Sequence, residues 1–215
     1  FQDPYASLNP RLTIEDSIAF GPKVHGMADG EARTLARDLL PEQGSAFKDF
    51  GYNIWPRYGG LGGNGKVTDF AVADWQTTID INLTANFLLS KFALPELIKT
   101  KGNIVGVSSI ASLRSGYGMS AYAASKAGFT SLIQNIAYDY AKEGVRANVI
   151  CPGAATEASK RMEAENPEMF AKMVEANPMR RFGKPEEVAA AVYFLASADA
   201  SYVTGAALKI DGGIF

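Results

Sequence analysis

From residue 74 onward, the sequence alternates long amphipathic helical patterns with short runs of β-branched and apolar residues. Parallel strands need a crossover connection, usually a helix, so this alternation predicts a parallel sheet with helices on both faces, a doubly wound α/β fold. Asp74 is expected to cap the first long helix, and Gly144 to end the second. Helices are predicted at 74–97, 121–142, 157–176 and 185–196, and strands at 103–107, 145–150 and 206–211.

The composition excludes several classes of protein. The 215 residues are 47% hydrophobic and 20% charged, which is enough for one α/β domain with a sizeable core. The formal net charge is −2, so the composition does not indicate the positive charge that binding to nucleic acid requires. No apolar run approaches the roughly 20 residues that span a bilayer, and the first residues lack the features of a signal peptide. We therefore expect a cytoplasmic protein that binds neither nucleic acid nor a membrane.

One cysteine, Cys151, and one histidine, His25, leave few choices of chemistry. Disulfides, metal sites and nucleophile pairs with a histidine base need more of these residues, so none is expected. Cys151 follows an apolar run and is expected to be a small buried side chain. Any chemistry must therefore use Tyr, Lys, Ser, Asn or a carboxylate.

Tyr122 and Lys126 stand four residues apart in a predicted helix, and Ser109 lies thirteen residues before the tyrosine, after a predicted strand. Residues four apart on a helix share a face, so the ammonium of Lys126 is expected to lie beside the phenol. A phenol titrates near about 10, and a nearby positive charge favours the phenolate. We therefore expect the pKa of Tyr122 to be lowered, which would make it a general acid or base. An ordinary amphipathic helix can also carry a Tyr and a Lys four residues apart. Here, however, the predicted strand places Ser109 at its carboxyl end, next to that helix, and open α/β sheets bind ligands at this end of their strands.

Eight short segments between residues 66 and 214 together resemble one family. They are Asp80-Ile-Asn-Leu-Thr84, Gly106-Val-Ser-Ser-Ile110, Tyr122-Ala-Ala-Ser-Lys126, Cys151-Pro-Gly153, Pro178-Met-Arg-Arg-Phe-Gly183, Pro185-Glu-Glu-Val188, Thr204-Gly205 and Asp211-Gly-Gly213. In these segments the chain resembles a short-chain dehydrogenase/reductase. The resemblance implies a Rossmann-like fold, NAD or NADP as cofactor, a small-molecule alcohol or carbonyl substrate, and a homodimer or homotetramer.

The resemblance also implies roles for individual residues. Tyr122 is the implied acid/base and Ser109 steadies the substrate oxygen, whereas Ser108 lacks the family's spacing to the tyrosine. Lys126 lowers the pKa of Tyr122 and holds the nicotinamide ribose, and Asn82 anchors a water of the proton relay. The implied cofactor-binding residues are Gly60, Asn82, Tyr122, Lys126, Pro152 and Gly153, of which the last two border the nicotinamide.

The amino-terminal part departs from that family. The glycine-rich turn that places a pyrophosphate at a helix amino end is absent from the sequence, as are the family's first strands. Gly60 alone remains of the family's Asn-Asn-Ala-Gly segment, and Pro56 would disrupt an interior strand. Gly60-Leu-Gly-Gly-Asn-Gly65 fits Gly-x-Gly-x-x-Gly, but no helix pattern opens directly after it. We therefore expect an incomplete Rossmann-like sheet whose dinucleotide binding is weak or absent, with NAD and NADP not distinguished.

Residues 1–40 resemble a different protein. The run Phe1-Gln-Asp-Pro-Tyr-Ala-Ser-Leu-Asn-Pro-Arg11 is similar to the glutamine-loop region of ATPases from oligopeptide-type ABC transporters, with Gln2 as the loop glutamine. The phosphate loop and the Leu-Ser-Gly-Gly-Gln signature are missing, so ATP hydrolysis is not expected. The predicted organisation is an atypical segment at 1–50 and a catalytic part at 51–215. A rearranged reading frame, an engineered chimera or a fragment would explain it.

Three functions remain open at this point. The first is a nicotinamide-dependent oxidoreductase with Tyr122 as acid/base. The second is an esterase-like hydrolase in which Ser109 attacks an ester while Tyr122 and Lys126 act as base, although no Gly-x-Ser-x-Gly elbow is present. The third is a non-catalytic chimeric remnant that does not bind a cofactor. Self-association is expected through the helices at 74–97 and 121–142, whose apolar faces exceed what one sheet surface needs.

Overall fold

The computed structural model describes Ala28 and residues 66–114, 116–153 and 157–214. The predictions for Gly60 and for the segments 1–40 and 1–50 fall outside the described residues, Ala28 apart, and stay predictions. The helices are α1 (Val72–Ile79), α2 (Ala85–Thr100), α3 (Ser120–Asp139), α4 (Glu157–Glu165), α5 (Pro167–Ala176) and α6 (Pro185–Ala196), and the strands are β1 (Asn103–Val107), β2 (Arg146–Pro152) and β3 (Ala207–Ile210).

The three strands form a parallel sheet in the order β1-β2-β3. Val105 pairs with Asn148, and Ile150 pairs with Leu208, so all three strands run in the same direction. The predicted parallel α/β fold is therefore confirmed. Because the strands are parallel, the residues that follow β1, β2 and β3 lie at one carboxyl edge of the sheet.

Helix α3 covers one face of this sheet. Phe129 and Ile133 are buried and lie against Gly106 in β1, where an added Cβ would be 2.8 Å from the Phe129 ring. The absence of a side chain at Gly106 therefore allows close packing of helix on strand. Each large side chain buried here stabilises the fold by about 1.5–3 kcal/mol. The buried cluster consists of Leu94, Phe129, Ile133, Ile136, Ala137, Val145, Ala147 and Val149.

The first long helical pattern differs from its prediction in two ways. Helix α1 begins at Val72 after an extended Ala71, so Asp74 lies in the first turn and is not the cap. Its carboxylate is still favourable there because it faces the positive end of the helix dipole. A π-helical turn, Asp80–Thr84, separates α1 from α2. The segment predicted as one helix at 74–97 therefore forms two α-helices joined by a π-helical turn.

Two other boundaries also needed correction. Helix α3 ends at Asp139, not at residue 142, and Gly144 adopts a φ of +84° in the turn that leads to β2. The predicted helix at 157–176 is divided into α4 and α5 at Asn166, whose side chain accepts a hydrogen bond from the Met169 amide and caps α5. Pro167 suits the first helical position because its missing N–H would have no partner there. The prediction of a helix at 185–196 is confirmed.

Within the described ranges, none of the helices has the length and apolar character to cross a membrane.

Candidate active site

Ser109 follows β1 and begins a single turn of 3₁₀-helix, Ile110–Ser112. Its hydroxyl oxygen accepts a hydrogen bond from the Ala111 amide at 3.1 Å, and its carbonyl accepts one from the Ser112 hydroxyl at 2.7 Å. These bonds fix the Ser109 side chain at the carboxyl edge of the sheet. The side chain is half-buried and remains in reach of α3.

The neighbouring Ser108 has a different environment. It is buried, its hydroxyl donates to the Lys126 carbonyl at 3.1 Å, and it shares a hydrogen bond of 2.8 Å with the Thr130 hydroxyl. Both partners belong to α3, so Ser108 attaches the end of β1 to that helix. Ser109 is the serine of this pair that lowers the pKa of Tyr122.

Tyr122 lies in the first turns of α3 and is 7% exposed. The Ser109 side chain lies close enough to the phenol to lower its pKa. The structure therefore brings together the tyrosine and the serine that the sequence placed thirteen residues apart. Within α3, the buried hydroxyl of Ser125 donates to the Tyr122 carbonyl at 2.7 Å and supports the helix at this point.

Lys126 lies on the same face of α3, as its spacing predicted. Its ammonium nitrogen Nζ is 5.9 Å from the centre of the Tyr122 ring and 5.8 Å from that of Phe129. Nζ donates a hydrogen bond to the Val107 carbonyl at 3.2 Å, at the end of β1. The amine therefore lies near the tyrosine ring but has a backbone oxygen as its hydrogen-bond partner.

The expectation of a lowered pKa for Tyr122 is wrong for this structure. Burial raises the pKa of Tyr122 to about 12, and the Ser109 side chain offsets only part of that effect. Burial also lowers the pKa of Lys126 to about 8, against a smaller electrostatic effect of Cys151 in the opposite direction. Desolvation disfavours the charged form of both groups and is the largest effect on each pKa. The neutral phenol is thus the resting form, which suits a proton donor.

Asn82 lies in the π-helical turn, which packs against α3. The contact depends on Gly128, because a Cβ at that position would be 2.9 Å from a methyl group of Leu83. Asn82 is half-buried, and its carbonyl accepts a hydrogen bond from the Asn86 side chain at 3.0 Å. The structure therefore places Asn82 on a turn held against the helix of Tyr122 and Lys126. π-helical turns are frequent at functional sites.

Pro152 and Gly153 end β2 at the same edge. The Gly153 amide donates to the Ile210 carbonyl at 2.8 Å, and a Cβ on Gly153 would be 3.7 Å from the Ile110 side chain. Gly153 therefore lies between β3 and the turn that begins at Ser109. Cys151, just before them, is fully buried, as predicted, with its sulfur 3.6 Å from the Ser112 hydroxyl.

Two buried polar residues at this edge received no role from the sequence. Asp211 follows β3 and is 6% exposed, and Asn177 follows α5 and is 4% exposed. The Asn177 side-chain amide donates to the Asp211 carbonyl at 2.9 Å. Asp211 precedes a glycine pair and Asn177 precedes a proline, and polar residues are common at such positions in turns, so no sequence signal distinguished them.

The described residues fit the nicotinamide end of a dinucleotide. A phenol, an amine and a serine hydroxyl meet beside the Pro152–Gly153 turn, and one buried carboxylate oxygen of Asp211 has no partner. A pyrophosphate needs backbone N–H groups at a glycine-rich turn before a helix, and the described ranges contain no such turn. No cluster of three or more potential metal ligands occurs in them either.

A family model described as enoyl-(acyl carrier protein) reductase matches residues 57–214. The chain belongs to the short-chain dehydrogenase/reductase family. It is 39% identical over 160 residues to 2-(S)-hydroxypropyl-CoM dehydrogenase 3 of Xanthobacter autotrophicus, covering 72% of this chain and 63% of that protein.

Two solved structures of short-chain dehydrogenases/reductases are similar to this chain. One is an oxidoreductase of this family from Burkholderia thailandensis, with a TM-score of 0.66 and 34% identity over 70% of this chain and 60% of the other. The second is 7α-hydroxysteroid dehydrogenase complexed with NADH and 7-oxo glycochenodeoxycholic acid. Its TM-score is 0.65, and the identity is 37% over 71% of this chain and 60% of the other. The chain thus spans less than two thirds of the length of these relatives.

Proposed function

We propose that the protein is an NAD(P)-dependent oxidoreductase that transfers hydride between nicotinamide and a small-molecule alcohol or carbonyl compound. The observation that supports it most is the proximity of Ser109 to the Tyr122 phenol at the carboxyl edge of a parallel sheet, with Lys126 on the same helix face as Tyr122. Ligands bind at this edge in open α/β folds. The NADH in the similar 7α-hydroxysteroid dehydrogenase structure agrees with the proposed cofactor class.

In the proposed reaction, the dinucleotide supplies or accepts the hydride, and the protein handles the proton. Tyr122 is protonated at neutral pH because burial raises its pKa to about 12, so it donates its proton to a substrate carbonyl oxygen during reduction. Ser109 hydrogen-bonds the same oxygen and holds it beside the phenol. In the direction of oxidation, Tyr122 must first lose its proton, so the reverse reaction needs higher pH or a nearby positive charge.

Lys126 and Asn82 support this proton transfer in the proposal. With a pKa of about 8, the Lys126 amine gains and loses a proton near neutral pH and can replenish the phenol. One N–H of its ammonium bonds to the Val107 carbonyl, and another is proposed to bind a ribose hydroxyl of the dinucleotide. Asn82 is proposed to hold a water that leads from Lys126 to solvent. Pro152 and Gly153 are proposed to contact the nicotinamide, and Gly60 stays a candidate for the same cofactor.

The affinity for the cofactor is proposed to be weak, with NAD and NADP both possible. Most adenosine and pyrophosphate contacts depend on a glycine-rich turn that the sequence lacks. Fluorescence titration of the purified protein with NADH and NADPH tests this proposal. A dissociation constant near the millimolar range supports it, and much tighter binding would contradict the weak affinity. The absence of binding at millimolar cofactor rejects the oxidoreductase and favours a non-catalytic remnant.

The hydrolase is not favoured. A nucleophilic serine needs a base, but the phenol beside Ser109 is protonated and Lys126 bonds to a backbone carbonyl. Hydrolysis of a p-nitrophenyl ester at equal rates by wild type and Ser109→Ala would remove Ser109 as a nucleophile.

We also propose self-association through α2 and α3. A groove of about 300 Å³ lies between these helices, and Phe87 beside it is 47% exposed. A hydrophobic surface of this kind is usually covered in a soluble protein. Light scattering should give the mass of a homodimer or homotetramer, and a monomer would contradict this proposal. The cytoplasmic location stays a prediction.

A further inference from the structure

Lys126 has no negatively charged partner in the part of the chain that the structure describes. The ion pairs found there join other side chains, and no described carboxylate lies within ion-pair distance of its Nζ. The amine donates a hydrogen bond to the Val107 carbonyl at 3.2 Å. Because an ammonium group has three N–H donors and a full charge, these surroundings replace little of the water that the charged form would lose on burial.

The groups around the amine favour its neutral form. Nζ lies 5.9 Å from the centre of the Tyr122 ring and 5.8 Å from that of Phe129, and both side chains are buried. The titratable groups that face it are Tyr122 in α3 and Cys151 in β2. Burial lowers the pKa of Lys126 to about 8, so about one tenth of this amine is neutral at pH 7. For a lysine in water, the neutral fraction at this pH is roughly one in two thousand.

The Lys126 side chain is also accessible to small molecules. It is half-buried, whereas Cys151 close to it is fully buried. A neutral amine has a free electron pair, and lysines in desolvated sites are the ones that form imines with carbonyl compounds. Lys126 therefore combines a reactive form of the amine with access from solvent.

We propose that Lys126 captures uncharged aldehydes as a covalent imine. The electron pair of Nζ forms a bond to the carbonyl carbon, and the π electrons of the carbonyl group move to its oxygen, which takes up a proton. The C–O bond then breaks and a C=N bond forms, so the oxygen and the two amine hydrogens leave as one molecule of water. Uncharged aldehydes are the expected class because two aromatic rings flank the amine. The capture goes beyond the proposed oxidoreductase, since no hydride is transferred and no dinucleotide takes part.

The test uses benzaldehyde as the probe and the purified full chain without a dinucleotide. Sodium cyanoborohydride reduces each imine to a stable amine, and peptide mapping by mass spectrometry gives the rate of labelling at every lysine. The quantity of interest is the ratio of the rate at Lys126 to that at the exposed Lys142 in the same sample, because this ratio cancels the pH dependence of the reductant. Samples cover pH values from about 7 to about 10, the range in which the two kinds of amine differ. Protein unfolded in urea is the structural control.

We expect a ratio of about tenfold or more at pH 7 in the folded protein, and a ratio near one in urea. The ratio in the folded protein should fall above pH 8, because Lys126 is then largely neutral while an amine in water still gains its neutral form. Lys126→Met should lose this rapid labelling, and Lys142→Met should retain it. A ratio near one in the folded protein at pH 7 would overturn the proposal. So would a high ratio that does not change with pH, since that would reflect access to solvent and not a neutral amine.

The outcome is independent of variant folding and of the proposed function. If Lys126→Met does not fold, the wild-type ratio in folded and unfolded protein still decides the question. If NADH does not bind but the ratio is tenfold at pH 7, the oxidoreductase fails and the imine stands. If NADH binds and the ratio is near one, the imine alone is overturned.

Discussion

Replacement of Lys126 by methionine tests whether the site holds its amine in a desolvated position. Burial lowers the pKa of Lys126 from 10.5 to about 8. The gap of about 2.5 between these values (10.5 − 8) corresponds to about 3 kcal/mol in favour of the neutral amine in the folded protein. Methionine has a similar length and no charge, so Lys126→Met removes this effect with little change in packing.

The direction of the effect follows from proton linkage. Because the pKa of Lys126 is lower in the folded protein, the unfolded chain binds the proton more tightly, and stability is reduced below pH 8. The free energy of unfolding should rise as the pH increases from about 8 to 10.5, and this group alone contributes about 2 kcal/mol between pH 7 and about 9.5. Tyr122 acts in the opposite direction, since its raised pKa removes stability only as the pH rises from 10.0 to about 12.

The assay is equilibrium urea unfolding of wild type, Lys126→Met and Lys142→Met at several pH values between 7 and about 9.5, below the range where Tyr122 titrates. Lys142 is exposed and serves as the matched control. Wild type and Lys142→Met should gain stability across this range, and Lys126→Met should lack about 2 kcal/mol of that gain. A gain in Lys126→Met equal to that of wild type would show that the amine is solvated, and the account of the site would be wrong.

Four further variants follow from the same contacts. Tyr122→Phe should lower the turnover number about 10²–10⁴-fold while NADH affinity is kept, since only the proton donor is lost; equal turnover would contradict its role. Ser109→Ala should raise the pKa of Tyr122 further, measurable by ultraviolet titration, whereas Ser108→Ala should leave that pKa unchanged and lower stability by about 0.5–1.5 kcal/mol. Gly106→Ala should destabilise by about 1–3 kcal/mol in urea unfolding, because its Cβ would be 2.8 Å from Phe129; an unchanged midpoint would show that the helix can move away.

Much of the fold could be predicted from the sequence because the pattern is strongly periodic. The strand at Asn103–Val107 and the helix at Pro185–Ala196 agree with their predictions. In contrast, the π-helical turn at Asp80–Thr84 has the same apolar spacing as the α-helices around it. The turn packs through Leu83 against Gly128, a contact between residues far apart in the sequence that a local pattern does not reveal.

In the candidate site, too, the sequence predicts which residues come together but not the properties that depend on packing. The spacing of Ser109, Tyr122 and Lys126 correctly indicated that they share one edge and one helix face. The pKa directions of Tyr122 and Lys126 could not be read from the sequence, because burial is the largest effect on both, and burial is a property of the packed structure. The buried pair of Asp211 and Asn177 could not be identified either, since the hydrogen bond from the Asn177 side chain to the Asp211 carbonyl joins residues far apart in the sequence.

The central claim is that a dinucleotide binds with its nicotinamide beside Tyr122. We would label the tyrosine ring carbons with ¹³C, assign the Tyr122 signal by its loss in Tyr122→Phe, and follow it by NMR during addition of NADH. The account predicts a change in the Tyr122 signal that saturates with NADH, while the signal of Tyr202, which is fully exposed, stays constant. A Tyr122 signal that does not move up to millimolar NADH would contradict it.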